Sequence, residues 1–318
     1  MTTPSARVIL RELKDPDGYL NRFNAAQQSA AFEQIVANAL AKILYLPFCA
    51  SNNDNSQIPK RVVWCGSTSP LSKAPANKPD AIGYCCDFHI VVEATRKTGS
   101  TQWSQEFAQS IRHCEDFCAS NNTSLRDAYV LLVCTQLHVD TYRSIKNHPR
   151  QECRLVPLEV ADVAGILQTS ILAFTLRHVE LRWLFNSICG AIVASPSLAD
   201  FRRSVTDTMA EWQRDVLRLE KTVFVGVKSY EAMRRIGRQH IGATEILQRL
   251  QKHPVVNQYF KLIGDKVGAD GITEALVTHS LAAKLGATFA GEQLFQPVPI
   301  IDFKQRGLRL IRAVEEIG

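Results

Sequence analysis

The sequence predicts an α/β protein, with a mixed central sheet flanked by helices in its first half and a mostly helical second domain. Three observations predict this. AYVLLVCTQLH (128–138) is an almost continuous apolar run, as expected of a parallel strand covered on both faces. FHIVVEAT (88–95) is apolar and β-branched, which is how a buried strand reads. Beyond about Val163, apolar residues recur at helical spacing and strand patterns give way to helices.

The elements follow in order. Residues 1–23 read as an irregular arm. From Asn24 to about Leu44, the residues Phe32, Ile35, Val36, Ala39, Leu40 and Ile43 mark one helical face, and Pro47 ends it. Residues 50–60 are a polar loop, RVVWCG (61–66) is a short strand, and 67–78 is a Ser/Pro/Lys-rich connection. A strand pair spans about 80–97, broken near Cys85–Asp87. Thr98–Thr101 is a turn, with Ser100 or Thr101 placed to cap a helix that runs to about Ala119. Strands follow at 128–138 and 154–160, and Asp162 opens the helical half. The first half therefore reads α-β-β-β-α-β-β. Helical patterns continue through 163–195, 198–220, 229–237, 243–251 and 272–286, with glycines punctuating the later ones. The expected division is residues 1–165 and 166–318.

Composition narrows the function classes. Apolar content of 46% and charged content of 21% fit an ordinary soluble globular protein. A net charge of +6 permits a nucleic-acid partner without demanding one. No stretch approaches the ~18 apolar residues of a membrane span. MTTPSARVILRELKDPDGYL lacks the apolar core of a secretory signal. The nine cysteines form no CxxC pair, so they read as thiols of a reducing cytoplasm. His113, Cys114 and Cys118 lack a second ligand pair for zinc, so the two thiols read as core residues, while Gln102, Glu106, Gln109 and His113 form one helical stripe.

Four acids carry the chemical reading. Glu33 lies in the first long helix, Asp80 starts a strand after Pro79, Glu93 sits near the end of the next strand, and Glu106 lies on the helix after it. A buried strand rarely holds an unpaired carboxylate, because burying the charge costs several kcal/mol or shifts its pKa. Two carboxylates at strand ends make a hard-oxygen site suited to Mg²⁺, with Mn²⁺ as a substitute. Such an ion supplies what phosphodiester hydrolysis needs. Strand alternation places Glu93, Thr95 and Lys97 on one face and Arg96 on the other, with Lys97 about 13 Å beyond Glu93 if the strand stays extended.

In this order, the helix FE-x-x-V, the pair Pro79-Asp80, the strand E-x-T, the stretch Q-x-x-x-E and Arg112-His113 resemble the PD-(D/E)XK restriction-endonuclease-like nuclease superfamily. Within that superfamily the sequence looks like the AlwI- and FokI-type cleavage domains, over roughly residues 24–165. The resemblance implies a restriction-endonuclease-like sheet and Mg²⁺ held by Glu33, Asp80 and Glu93. Thr95 stands where the motif has a lysine. Either Lys97 replaces it, or Gln102 and Glu106 on the following helix do.

In the second half, Lys228, Arg234, Arg235, Arg238, Arg249 and Lys252 stand against Glu231 and Glu245. Residues of this kind contact phosphates, and a helix-turn-helix unit would present them. The expected function is a Mg²⁺-dependent endonuclease of type II restriction character, cutting double-stranded DNA. A homodimer would cut both strands, and a cognate DNA methyltransferase would be its functional partner. The rival readings are a non-catalytic DNA-binding or assembly protein on the same fold, and an RNA or single-strand nuclease of a defence system.

Overall fold

The computed structural model describes residues 4–44, 62–68, 70–85, 87–148, 154–173, 178–236 and 241–263, together with 268, 271–273, 275–277, 280, 289–290 and 294–295. Packing divides the chain into two compact units: Met1–Ser170 with Leu176–Trp212, and Ile171–Thr175 with Gln213–Gly318. Residues 176–212, read from sequence as part of the second domain, pack with the sheet unit.

The N-terminal segment is helical rather than irregular. Ser5 caps α1 (Ala6–Lys14), its side chain accepting from the Val8 amide, and Asp15 caps α2 (Pro16–Leu20) with Pro16 at its start. A nine-residue helix is marginal alone. This one forms by burying Ile9, Leu10 and Leu13 against α3 (Ala25–Ile43). Asn24 caps α3 through the Gln27 amide.

Five strands make the main sheet, in the order β1–β4–β5–β6–β7: β1 (Val62–Trp64), β4 (Ala81–Tyr84), β5 (His89–Thr95), β6 (Ala128–Cys134) and β7 (Arg154–Glu159). A two-stranded ribbon, β2 (Ser67–Thr68) and β3 (Leu71–Ser72), lies in the connection before β4. β1, β4 and β5 pair antiparallel, and β5, β6 and β7 pair parallel, so the sheet is mixed. All seven residues of β6 are buried, as its apolar run predicts. β7 tolerates Pro157 because it is an edge strand, where a missing N–H leaves no ladder bond open.

After β5 the chain forms a turn. Thr101 does not cap the following helix; its hydroxyl donates to the Thr98 carbonyl at 2.8 Å. A π-helical turn (Gln102–Phe107) leads into α4 (Ala108–Asn121), which ends at Asn122 in the left-handed region at φ 51°. Sequence reading missed α5 (Val139–Lys146), which is capped by the His138 side chain. α6 (Val160–Leu172) and α7 (His178–Ala194) follow, and α7 packs on β7. The apolar residues of α8 (Leu198–Ile236) belong to one continuous helix rather than two.

In the second unit, α9 (Ala243–Gln251) and the unforeseen α10 (Pro254–Leu262) are joined by a two-residue turn. Phe224 stacks on Tyr259 with centroids 4.0 Å apart. A small sheet orders β8 (Ile241–Gly242), β10 (Leu294–Phe295) and β9 (Phe289–Ala290). Most of the helix expected over 272–286 lies outside the described residues. Among the described residues, no helix is long and apolar enough to cross a membrane, and Cys65, Cys85, Cys114, Cys118, Cys134 and Cys189 form no disulfide.

Gly83 in β4 lets α3 sit close to the sheet: a Cβ there would lie 3.0 Å from Leu44 Cδ1 and 3.2 Å from Leu40 Cδ2. The expected outcome for Gly83→Val is a loss of about 1–3 kcal/mol in a urea melt, from overpacking this contact. A variant as stable as the wild type would show that α3 can yield at no cost.

Candidate active site

Strand pairing sets the first two acids. Ala81 lies opposite Val92, so Asp80, one residue before β4, stands across from Glu93 and their side chains share a face. The Asp80 amide donates to the Val92 carbonyl at 3.0 Å, and the Ala94 amide donates to Asp80 Oδ2 at 2.7 Å. Glu93 is 1% exposed, and its Oε1 lies 2.6 Å from Nδ1 of His113 on α4. The other ring nitrogen of His113 lies 3.2 Å from the Ala76 carbonyl oxygen. Each ring nitrogen thus faces an acceptor, an arrangement that only the imidazolium satisfies in full.

Two more acids arrive from the helices. Glu33 on α3 accepts from the Ala74 amide at 3.1 Å through Oε2. Glu106, on the π-helical turn, pairs with Lys97 Nζ at 2.6 Å. Glu33, Asp80, Glu93 and Glu106 line one cleft of about 380 Å³, with Lys73, Lys78, Thr95, Arg96, Lys97 and Gln109 also in its wall. The ends of β5, α3, the 73–78 connection and the π-helical turn thus meet at one place.

The electrostatics follow from crowding and burial. Burial pushes the Glu33 carboxyl up from 4.5 to about 7, outweighing the Ala74 bond and the Lys73 charge, and Glu93 and Glu106 add to the rise. Asp80 is raised well above the carboxylate range, first by burial and then by Glu33 and Glu93, with the Ala94 bond opposing. Burial also raises Glu93, held back by the hydrogen bond and charge of His113. Burial alone would lower His113, but its bond to Glu93 and the charge of that carboxylate outweigh it and raise the imidazole.

The structure brings together all five acids and cations read from sequence in the first half: Glu33, Asp80, Glu93, Lys97 and Glu106. Lys97 is not carried 13 Å away, because β5 ends at Thr95 and the chain turns before Lys97. Gln102 is fully buried and bonds to backbone instead of lining the cleft. Sequence reading placed Arg96 on the far face, yet it lines the cleft and donates to Gln28 Oε1. His113, which shares a helical stripe with Gln102, Glu106 and Gln109 in the sequence, is buried against Glu93 and does not line the cleft. In the second unit, Arg235, Arg249 and Lys252 are exposed, whereas Lys228 is buried and paired with Glu231 at 3.0 Å. Arg238 and the side chain of Arg234 lie outside the described residues.

Among the described residues, no group of three or more His, Cys, Asp or Glu is arranged as a ready metal cage. The donor chemistry still fits Mg²⁺. That ion takes one or two carboxylates and fills its remaining positions with water and substrate oxygens, so the facing pair Asp80 and Glu93 suffices.

Residues 22–163 match the AlwI restriction endonuclease family. The match spans all four carboxylates and Lys97. Among solved structures, the small subunit of the heterodimeric restriction endonuclease R.BspD6I aligns with a TM-score of 0.47 at 14% identity, over 64% of this chain and 98% of that one. No curated protein matches the chain.

The raised carboxylates make metal-free stability fall as pH rises. Between pH 4.5 and about 7 the folded protein keeps a proton on Glu33 that the unfolded chain has released, so folding is favoured on the acid side and weakens toward neutrality. Thermal melts in a chelator are expected to show a falling Tm across this window, flattened in Glu33→Gln. Added Mg²⁺ should raise Tm more at pH 8 than at pH 5, because binding displaces protons. A chelated protein whose Tm rises from pH 5 to 7 would contradict the carboxylate assignment.

Proposed function

We propose that this protein is a metal-dependent DNA endonuclease of restriction type, with its centre in the carboxylate cleft. The observation that carries this reading is the convergence of Glu33, Asp80, Glu93, Glu106 and Lys97 at one strand end, inside the segment matched by a restriction endonuclease family. Thr95 in the place of a motif lysine favours a non-catalytic protein. Lys97 in the same cleft removes the force of that objection.

Asp80 and Glu93 would hold Mg²⁺ or Mn²⁺, with Glu33 offering a further oxygen from α3. The ion, when bound, neutralises charge on the scissile phosphate and lowers the pKa of a water. Lys97 presents an ammonium that hydrogen-bonds a phosphate oxygen or the attacking water as charge builds. Glu106 holds that ammonium in place. His113 fixes one oxygen of Glu93 and so sets the direction of the other.

Double-stranded DNA is the proposed substrate, approached past Lys73, Lys78 and Arg96, which give phosphate contacts of no sequence preference. Arg235, Arg249 and Lys252 of the second unit are proposed to add DNA contacts. One centre cuts one strand, so a double-strand break calls for a homodimer or two binding events. A cognate methyltransferase is the proposed functional partner, and the cytoplasm the proposed location.

Plasmid and long duplex DNA incubated with Mg²⁺ should give discrete fragments. Asp80→Asn and Glu93→Gln should each lower the cleavage rate by about 100-fold or more while leaving the melting curve cooperative. No cleavage of duplex DNA by the wild type with Mg²⁺ or Mn²⁺ would sink the catalytic reading.

A further inference from the structure

We propose that Thr95 and Gln102 are positioning residues that fold Lys97 back into the carboxylate cleft. In this arrangement Lys97 serves as the cation of the centre although the strand itself carries none. The proposal rests on the nuclease reading for its chemistry, and on three tethers for its geometry. The first is at the strand end: the Lys97 amide donates to Thr95 Oγ1 at 3.0 Å, a local turn that ends β5 and redirects the chain. The second is on the other side of the residue: the Lys97 carbonyl accepts from Gln102 Nε2 at 3.0 Å. The third is the ammonium, which meets Glu106 Oε1 at 2.6 Å. Amide, carbonyl and side-chain tip are thus each held.

Gln102 suits this task better than a role in contact with substrate. Its side-chain nitrogen also donates to the Gln136 carbonyl at 3.0 Å, and its oxygen accepts from the His138 amide at 2.8 Å. It is 0% exposed, so it clamps the exits of β5 and β6 and the start of α5 together. A primary amide has two donor hydrogens, and both are spent on backbone. Thr95, in turn, lines the cleft in a strand position from which a longer side chain could reach the carboxylates. The hydroxyl found there serves instead to turn the chain so that the residue two places on can do so.

Without the Thr95 hook, Lys97 would continue past the carboxylates. Without Gln102, the Lys97 carbonyl loses the hydrogen bond that holds it. The two residues therefore act on the lysine and not on the metal. Changing them should lower turnover without weakening metal or DNA binding, a split that a general loss of stability would not produce.

The test compares Thr95→Val, Thr95→Ser and Gln102→Met in the full chain by two readouts. The first does not depend on activity: site-resolved acetylation of Lys97, with Lys73 and Lys78 as internal references. In the wild type Lys97 should label slowly, and in Thr95→Val and Gln102→Met its rate should rise severalfold against unchanged references, while Thr95→Ser stays near the wild type. An unchanged Lys97 rate in both variants overturns the positioning role, whether or not the protein cuts DNA. The second readout is cleavage. Thr95→Val should lower kcat by about tenfold or more at unchanged DNA Kd and Mg²⁺ dependence, with Thr95→Ser restoring it. Equal kcat in Thr95→Val and wild type overturns the catalytic purpose of the turn. A wild type that cuts no DNA removes the nuclease reading, and the labelling result still decides where Lys97 is held.

Discussion

Glu33, Asp80, Glu93 and Glu106 share one cleft, and each ionised carboxylate there raises the cost of ionising the next. Water is largely excluded from Glu33 and Glu93, so solvent cannot screen that repulsion. The surrounding structure answers the crowding group by group. Asp80 and Glu33 each accept a backbone N–H, Glu93 faces a buried histidine, and Glu106 faces a lysine. These partners tie four separate segments to the same point: β5, α3, the connection before β4, and the π-helical turn with α4. The residual repulsion is what a divalent cation would relieve.

The sheet makes this crowding tolerable. Antiparallel pairing of β4 with β5 sets Asp80 across from Glu93 without any long-range choice of register, since the connection between the strands is short. Parallel pairing of β5 with β6 and β7 buries the strand interiors on both faces, so the acid falls where the covered core ends and the cleft begins. Gly83 lets α3 approach β4 closely near its C-terminal end, and Glu33 sits on that helix as a fixed part of the cleft wall. The connection from Lys73 to Lys78 is held from both sides, at the Ala74 amide by Glu33 and at the Ala76 carbonyl by His113 and Arg112.

Much of this was legible in the sequence where the signal is local. The long helix from Ala25, the strand ending at Thr95 and the apolar strand from Ala128 all announce themselves by periodicity or by an unbroken β-branched run. The acids were legible because carboxylates next to such runs are unusual. What escaped was short or depended on partners. α1 and α5 have nine and eight residues, too few for periodicity to stand out, and their charged residues mask the apolar stripe. Arg96 was assigned to the far face by strand alternation, a rule that lapses once the strand ends at Thr95.

The sequence by itself determined which segments become core strands and helices, and which acids stand at their ends. Those properties follow from side-chain period and backbone preference, which act over a few residues. Only the tertiary structure decided which charges meet. His113 is twenty residues from Glu93, and Ala74 is forty-one from Glu33. Lys97 reaches Glu106 only after a two-residue hook and a buried glutamine have turned the chain. Burial, and with it the raised carboxylates, belongs to no residue alone. It arises when distant segments pack and water leaves, and no local pattern records that step.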